Sequence, residues 1–218
     1  MNHKYKLLNK LSLFVIYIYV RLNGYRTCKA RTEDELRTAF RLRWKIYTEA
    51  GYVSGYDYPD GEIKDRYDKE AIIFIVCYHR LPVGTVRLIP IRKGAPIFEF
   101  FNIVGQLDKA TTAEIGRLAV LKKYRTRDRA ATLGLILETY SYSVREKINY
   151  WIGFAPRQLL RTFNPFVKYE LLEIQSPTLD NLRAREHHAG YFNRYKKDLV
   201  VFKINVNEIK PWRWKKSR

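Results

Sequence analysis

The sequence predicts an α+β fold, a mixed and mostly antiparallel central sheet with helices on both faces. Three observations carry that expectation. Short runs rich in β-branched and aromatic residues recur between turn residues, as strands require. Two stretches repeat apolar residues three and four apart, the spacing of an amphipathic helix. Between those helices runs a series of strands with no helical pattern between them, the first two joined by the short turn at 79–82, which favours antiparallel neighbours over helical crossovers. No internal repeat or long Gly/Ser/Pro linker interrupts the chain. It reads as one domain over residues 25–207, preceded by a basic and apolar extension (1–24) and followed by a basic, tryptophan-containing tail (208–218).

Residues 25–30 read as the first strand. Thr32-Glu33-Asp34-Glu35 is a capping box: the Thr32 hydroxyl accepts from the Glu35 amide while the Glu35 carboxylate reaches back. The helix it opens runs to about Tyr47, with Leu36, Phe40, Trp44 and Tyr47 along one face. Residues 51–62 mix glycine and proline with tyrosine and aspartate and read as a loop. Residues 71–78 form a buried strand, and His79-Arg80-Leu81-Pro82 turns the chain into a second, 83–90. Residues 113–121 form a third. A long helix follows, with Ala130, Leu133, Leu137, Tyr140 and Val144 on its apolar face. Residues 149–155 make a strand, and 156–163 a short helix opened by proline at a first-turn position. Strands 169–174 and 199–206 complete the sheet.

Composition limits the rest. The chain has 218 residues, 46% hydrophobic and 15% aromatic, which excludes low-complexity disorder and small disulfide scaffolds. Cys28 and Cys77, with His79 the only nearby imidazole, do not make up a structural zinc site, and no metal is expected. Lys and Arg number 41 against 22 acids, a formal +19. Such a field draws nucleic acid, anionic lipid, phosphorylated cofactors or acidic proteins alike. At the N-terminus, Lys4, Lys6 and Lys10 precede an apolar run at 11–20, about half of the roughly 20 residues that span a bilayer. Arg21 to Arg26 make a poor export-cleavage site, so the segment is expected to cap the core or lie on a membrane surface. The tail interleaves Trp212 and Trp214 with basic residues and reads first as a solvated tail, with an interface or single-stranded nucleic acid as the alternative. Without a helix-turn-helix or RNA-binding signature, nucleic acid is not expected as a partner.

The strongest local signal is at 118–130. Leu118-Ala119-Val120 ends a strand, a basic turn with Arg125, Arg127 and Arg129 follows, and Ala130 opens the long helix. Backbone amides at a helix start, with the helix dipole, attract a phosphate or pyrophosphate. A solvated basic loop is the competing reading. Arg43 lies on the inner stripe of the first helix, and Arg87 interrupts an apolar strand. A buried guanidinium needs a carboxylate, and Asp65, Asp68 and Glu114 are available. Glu114 and Arg117, three apart, face opposite sides of a regular strand; a bulge at Gly116 would re-aim one of them.

The 118–130 stretch resembles the acyl-donor motif of the GCN5-related N-acetyltransferase superfamily, Arg/Gln-x-x-Gly-x-Gly/Ala. Arg125-x-x-Asp128-x-Ala130 keeps its first and last positions. Asp128 puts a carboxylate where a pyrophosphate would lie, which favours a phosphopantetheine on acyl-carrier protein over coenzyme A. A wider resemblance, over about residues 36–125, is to the autoinducer-synthase branch. It is carried by Arg43-Trp44-Lys45-Ile46-Tyr47, Asp65-Arg66-Tyr67-Asp68, Gly84-Thr85-Val86-Arg87-Leu88-Ile89-Pro90 and Glu114-Ile115-Gly116-Arg117-Leu118-Ala119-Val120. Besides tyrosine for phenylalanine at Tyr47, two features depart from the branch: Ile63 replaces its first acid, with Glu62 adjacent, and no tryptophan follows the first helix around Gly51-Tyr52-Val53. The chain thereby looks more like the long-chain N-acyl amino acid synthases than a homoserine lactone synthase.

That resemblance implies a cytoplasmic N-acyltransferase, in possible contact with the inner membrane, moving a long-chain acyl group from acyl-carrier protein to the α-amine of a tyrosine-like amino acid. It implies no permanently bound cofactor. Glu114 would remove the amine proton, or else serve as a structural partner of Arg43 or Arg87. Leu118, Ala119, Val120, Arg125, Arg127, Arg129 and Ala130 would hold the donor, and Arg43, Asp65, Asp68, Arg87 and Arg117 would shape the acceptor side. The alternatives are a homoserine lactone synthase or coenzyme A-dependent acetyltransferase of the same fold, and a non-enzymatic nucleic-acid-binding domain. His187-His188 reads as surface.

Overall fold

The computed structural model describes residues 3–125, 129–163, 167–186, 188–195 and 198–209. Its elements are α1 (His3–Leu22), β1 (Tyr25–Lys29), α2 (Glu33–Glu49), β2 (Ile72–Tyr78), β3 (Leu81–Pro90), α3 (Ile97–Phe100), β4 (Asn102–Ile103), β5 (Thr112–Val120), α4 (Lys122–Arg125), α5 (Ala130–Arg145), β6 (Tyr150–Pro156), α6 (Arg157–Phe163), β7 (Tyr169–Leu171), β8 (Ile174–Gln175), α7 (Leu179–Glu186), α8 (Ala189–Tyr195) and β9 (Leu199–Asn205). Seven strands form one sheet in the order β1-β2-β3-β5-β6-β9-β7, and β4 pairs with β8 apart from it. Every neighbouring pair in the large sheet is antiparallel except β5 and β6.

Alternation along β2 sorts the core. Ile73 and Ile75 point to α2, where they meet Ala39, Leu42 and Ile46. Ile72, Phe74 and Val76 point the other way, into the larger cluster under α5. Each such side chain contributes about 1.5–3 kcal/mol on burial. The two-faced α+β expectation is met. The Thr32–Glu35 capping box forms, with both reciprocal bonds. The buried stripe of α2 is Ala39, Leu42, Arg43 and Ile46, one step around from the predicted Leu36, Phe40, Trp44 and Tyr47, which form its half-buried edge.

α5 differs more. Its buried residues are Ala130, Ala131, Gly134, Leu135, Thr139 and Ser143, and Val144, expected inside, is exposed. The physical reason is close approach. A Cβ at Gly134 would lie 2.6 Å from Thr27 Oγ1 and 3.2 Å from Val20 Cγ1, so small residues let α5 sit tightly between β1 and α1. Ser143 Oγ accepts from the buried Trp151 indole at 2.8 Å.

Other differences follow from tertiary contacts. Pro156 ends β6 rather than opening α6. The single strand expected at 169–174 breaks in two, β7 joining β9 and β8 joining β4. In the stretch 183–190, residues 183–186 end α7 and 189–190 open α8, and His188 packs edge-on against Phe100; His187 lies outside the described residues. The tail from 210 also lies outside them. α1 buries Val20, packs on α5 and β1, and leaves Phe14, Val15, Ile18 and Leu22 exposed. Among the described residues, no helix is long and apolar enough to cross a membrane.

Candidate active site

The loop before β2 supplies two acids with divided duties. Asp65 and Asp68 form a capping box over a turn of 3-10 helix (Arg66–Glu70). Asp65 Oδ1 accepts from the Tyr67 amide (3.0 Å), and Asp68 Oδ2 from the Asp65 amide (2.8 Å). Their remaining oxygens meet guanidinium groups. Asp68 Oδ1 bonds Arg43 Nη1 at 2.9 Å and Arg87 Nη1 at 3.0 Å; Asp65 Oδ2 bonds Arg87 Nη1 at 2.7 Å and Arg117 Nη2 at 3.1 Å. Arg43 and Arg87 are fully buried, so these pairs are obligatory: removing one partner of a buried pair typically costs about 3–5 kcal/mol. Three guanidinium groups share two carboxylates, leaving one positive charge over.

Burial shifts the titrations. It drags Arg43 down against the pull of Asp68, with Arg87 and Arg117 adding to the fall, to about 10. Burial would raise Asp65, but Arg87 and Arg117 outweigh it and hold the carboxyl at about 2. Arg117 is raised despite its burial, by Tyr47, Asp65 and Asp68.

Glu114 stands apart from this network. It pairs with neither Arg43 nor Arg87, which take the aspartates; its Oε2 accepts from the Ile97 amide at 2.8 Å. Burial raises its pKa, partly opposed by Arg87, the Ile97 amide and Arg117. The structural-partner alternative for Glu114 therefore becomes a bond to the backbone at the start of α3. That contact had no sequence signal, because nothing in the sequence at 91–112 marks α3.

A bulge brings Glu114 and Arg117 to one site. Thr85 lies opposite Ala119 and Arg87 opposite Gly116, so Arg117 and Leu118 together face Val86. The left-handed residue is Arg117 itself (φ +54°), next to the Gly116 that suggested the bulge. Gly84 permits the close approach: a Cβ there would lie 2.8 Å from the Ala119 carbonyl oxygen and 2.9 Å from Val120 Cγ2.

β5 and β6 then part. They pair at Thr112–Tyr150, Ala113–Trp151 and Glu114–Ile152 and no further, although β5 runs on to Val120 and β6 to Pro156. A cavity of about 570 Å³ fills the gap. Arg87, Glu114 and Arg117 line it together with Leu118, Ala119, Val120 and Arg125. Its apolar wall includes Trp151 and Phe202 from the α5 side of the sheet, and Phe100 and Phe154 from the other, so the space crosses the sheet. Tyr47, Tyr52, Tyr191 and Tyr195 form a further aromatic wall, with the Tyr52 and Tyr195 hydroxyls 2.8 Å apart. Burial and the bond to Tyr195 push Tyr52 up to about 12, and burial lifts Tyr191 too, so both phenols stay neutral near pH 7. Tyr52 stands in the segment where the expected tryptophan is missing. Ile63 is buried with its carbonyl toward Arg43 (3.4 Å), while the adjacent Glu62 faces Arg41 and Lys64 and does not replace the absent acid.

The turn expected to hold the donor is less direct than the sequence suggested. β5 does not run straight into α5: the helical turn α4 intervenes. Arg125 lines the cavity, but its Nε donates to the Val120 carbonyl and so helps brace the strand end. Arg129 is the left-handed residue before α5 (φ +57°) and does not line the cavity; Ala130 is buried. Arg127 and Asp128 lie outside the described residues. Among the described residues, no group of His, Cys, Asp and Glu is arranged to hold a metal.

The profile of the family described as N-acyl amino acid synthase FeeM matches residues 38–158, more than half of the chain. The protein belongs to the FeeM family. It is accordingly an acyltransferase. A search of curated proteins found no match. Solved structures of the same fold include the coenzyme A-dependent acyl-homoserine lactone synthase BjaI with SAM and isopentyl-CoA (21% identity, 80% of this chain and 77% of that one, TM-score 0.61). They also include the AHL synthase LasI (13%, 84% and 89%, 0.58) and FeeM from uncultured soil microbes (14%, 84% and 92%, 0.56). At these identities the likeness establishes the fold, which is that of the GCN5-related N-acetyltransferases and their autoinducer-synthase branch. The FeeM match covers most of α2, the Asp65–Asp68 turn, the bulge and the forked strands, while Tyr191, Tyr195 and Phe202 of the cavity wall lie beyond it.

Proposed function

We propose that this FeeM-family enzyme transfers a long-chain fatty acyl group from acyl-carrier protein to the α-amine of a tyrosine-like amino acid in the bacterial cytoplasm. The observation that carries this reading is the cavity between β5 and β6, apolar over most of its walls with Glu114, Arg87 and Arg117 on its polar side. Its volume lies within the range of small-molecule sites, and its apolar walls suit an alkyl chain.

In this reading the amine nitrogen attacks the thioester carbonyl, the C–N bond forms and the C–S bond breaks. Glu114 takes the amine proton, and the departing sulfur is protonated to the free thiol. A carboxyl raised by burial is a stronger base than an exposed one, which suits it to an amine near neutral pH. Backbone amides of β5 beyond the fork, left without a β6 partner, would polarise the carbonyl. The excess positive charge around Arg87 and Arg117 would bind the acceptor's carboxylate, and Arg125, with Arg127 and Arg129 near it in sequence, would draw the carrier's phosphate. A net charge of +19 suits an acidic carrier protein.

The test is purified protein with palmitoyl-carrier protein, palmitoyl-coenzyme A or acetyl-coenzyme A, supplied with tyrosine, other amino acids or S-adenosylmethionine. Free thiol and product mass are measured across a salt series. N-acyltyrosine formed at lower KM with the carrier, and a carrier KM that rises with salt, is the expected result. A homoserine lactone product, or a preference for acetyl-coenzyme A, would overturn it.

A further inference from the structure

We propose that the outward face of α1 docks on an anionic phospholipid surface. The helix joins the fold by one side only, through buried Val20 and the partly buried Ile16 and Tyr19. The other side is apolar: Phe14, Val15, Ile18 and Leu22 are 61%, 63%, 38% and 82% exposed. Their spacing sets them in one stripe along the helix. Single exposed apolar residues are ordinary, but a continuous stripe on a helix that faces water is a docking surface.

The charge names the partner. α1 carries Lys4, Lys6, Lys10 and Arg21 and no acid along its whole length. An apolar face with cations and no acids fits lipid headgroups of negative charge. A second copy would bring the same lysines and its own +19 against them, which disfavours self-association. The junction with the domain is tight. Gly24 turns the chain at φ +81°, where a Cβ would lie 2.6 Å from His79 Nε2, and the Asn23 amide donates to the Tyr19 carbonyl at 3.1 Å. The direction of the face is therefore fixed by the domain. The inference does not depend on the identity of acyl donor or acceptor.

Flotation of the full chain with vesicles tests it, using phosphatidylcholine alone or phosphatidylcholine with phosphatidylglycerol. The protein should float with the phosphatidylglycerol vesicles and not with the neutral ones, and binding should fall several-fold as salt rises from about 0.05 M to about 0.5 M. Phe14→Glu with Ile18→Glu should weaken binding roughly tenfold or more, since each loses an inserted apolar side chain. Leu22→Gln is the milder companion, and melting curves of both variants, expected to match wild type because these side chains face water, establish that they fold. Three outcomes would overturn the proposal: no flotation with either vesicle, undiminished flotation of the folded variants, or a dimer in sedimentation velocity that the double variant dissolves without any lipid binding.

Discussion

Among the described residues, Glu114 is the acid of the site that no guanidinium holds by a direct bond, and its titration behaves accordingly. Its pKa is raised above the ordinary 4.5 by burial, so the fold favours the protonated carboxyl. Its contribution to stability is full below 4.5 and is lost as pH rises through the folded value. Asp65 has the opposite sign. Held at about 2, it stabilises the fold above its ordinary 3.8 and loses that contribution only as pH falls toward 2. Glu114→Gln keeps an oxygen for the Ile97 amide and removes the cost of a buried charge. At pH 7 it should melt at or above the wild-type temperature while kcat falls about 10²–10⁴-fold. Thermal melts at pH 5 and pH 7.5 beside steady-state rates check both halves. A folded variant turning over within a few-fold of wild type would remove Glu114 from proton transfer.

At the scale of the elements, the bulge between β3 and β5 is the feature on which the site depends. Gly84→Ala forces a Cβ against the Ala119 carbonyl, so the strand must shift. A loss of about 1–3 kcal/mol in urea unfolding is expected, with a raised KM for the acyl donor because Ala119 and Val120 line the cavity. Gly55→Ala, whose Cβ meets only Thr48 Cγ2 at 3.7 Å, serves as the near-neutral control. Much of this architecture was legible in the sequence. The capping box needs only local spacing, and the strands at 72–78 and 81–90 announce themselves by β-branched content. Gly116 marked the bulge, but the left-handed residue is Arg117, because the strain falls where the extra residue sits. The inner face of α5 was misread because Gly134, Thr139 and Ser143 carry no apolar signal, although size selects them. α3, α7 and α8 were not legible: they are short, and what fixes them is distant, as when Asn181 bonds the Glu99 carbonyl and Arg185 that of Phe100. The acids and guanidinium groups of the site could be named from sequence. Their pairing could not, since each aspartate serves two arginines from different elements.

On the scale of the whole molecule, charge and sheet have separate tasks. A formal charge of +19 would draw anionic groups from a distance, while the sheet decides where a reacting group can lie. The sheet is really two smaller ones, β1-β2-β3-β5 and β6-β9-β7, sewn together along the three pairs from Thr112–Tyr150 to Glu114–Ile152. Where the stitching stops, the cavity begins. An alkyl chain in that opening would act as a suture, replacing missing backbone bonds with apolar contact to both halves at once. At a hundred times its dissociation constant, such a ligand adds about 2.7 kcal/mol to stability. Hydrogen exchange with a bound long-chain acyl thioester should therefore slow along β5 beyond Glu114 and along β6 beyond Ile152 together, whereas a ligand resting on one lip would quiet a single strand. The seam where this fold is least closed is thus the place where its substrate would finish the sheet.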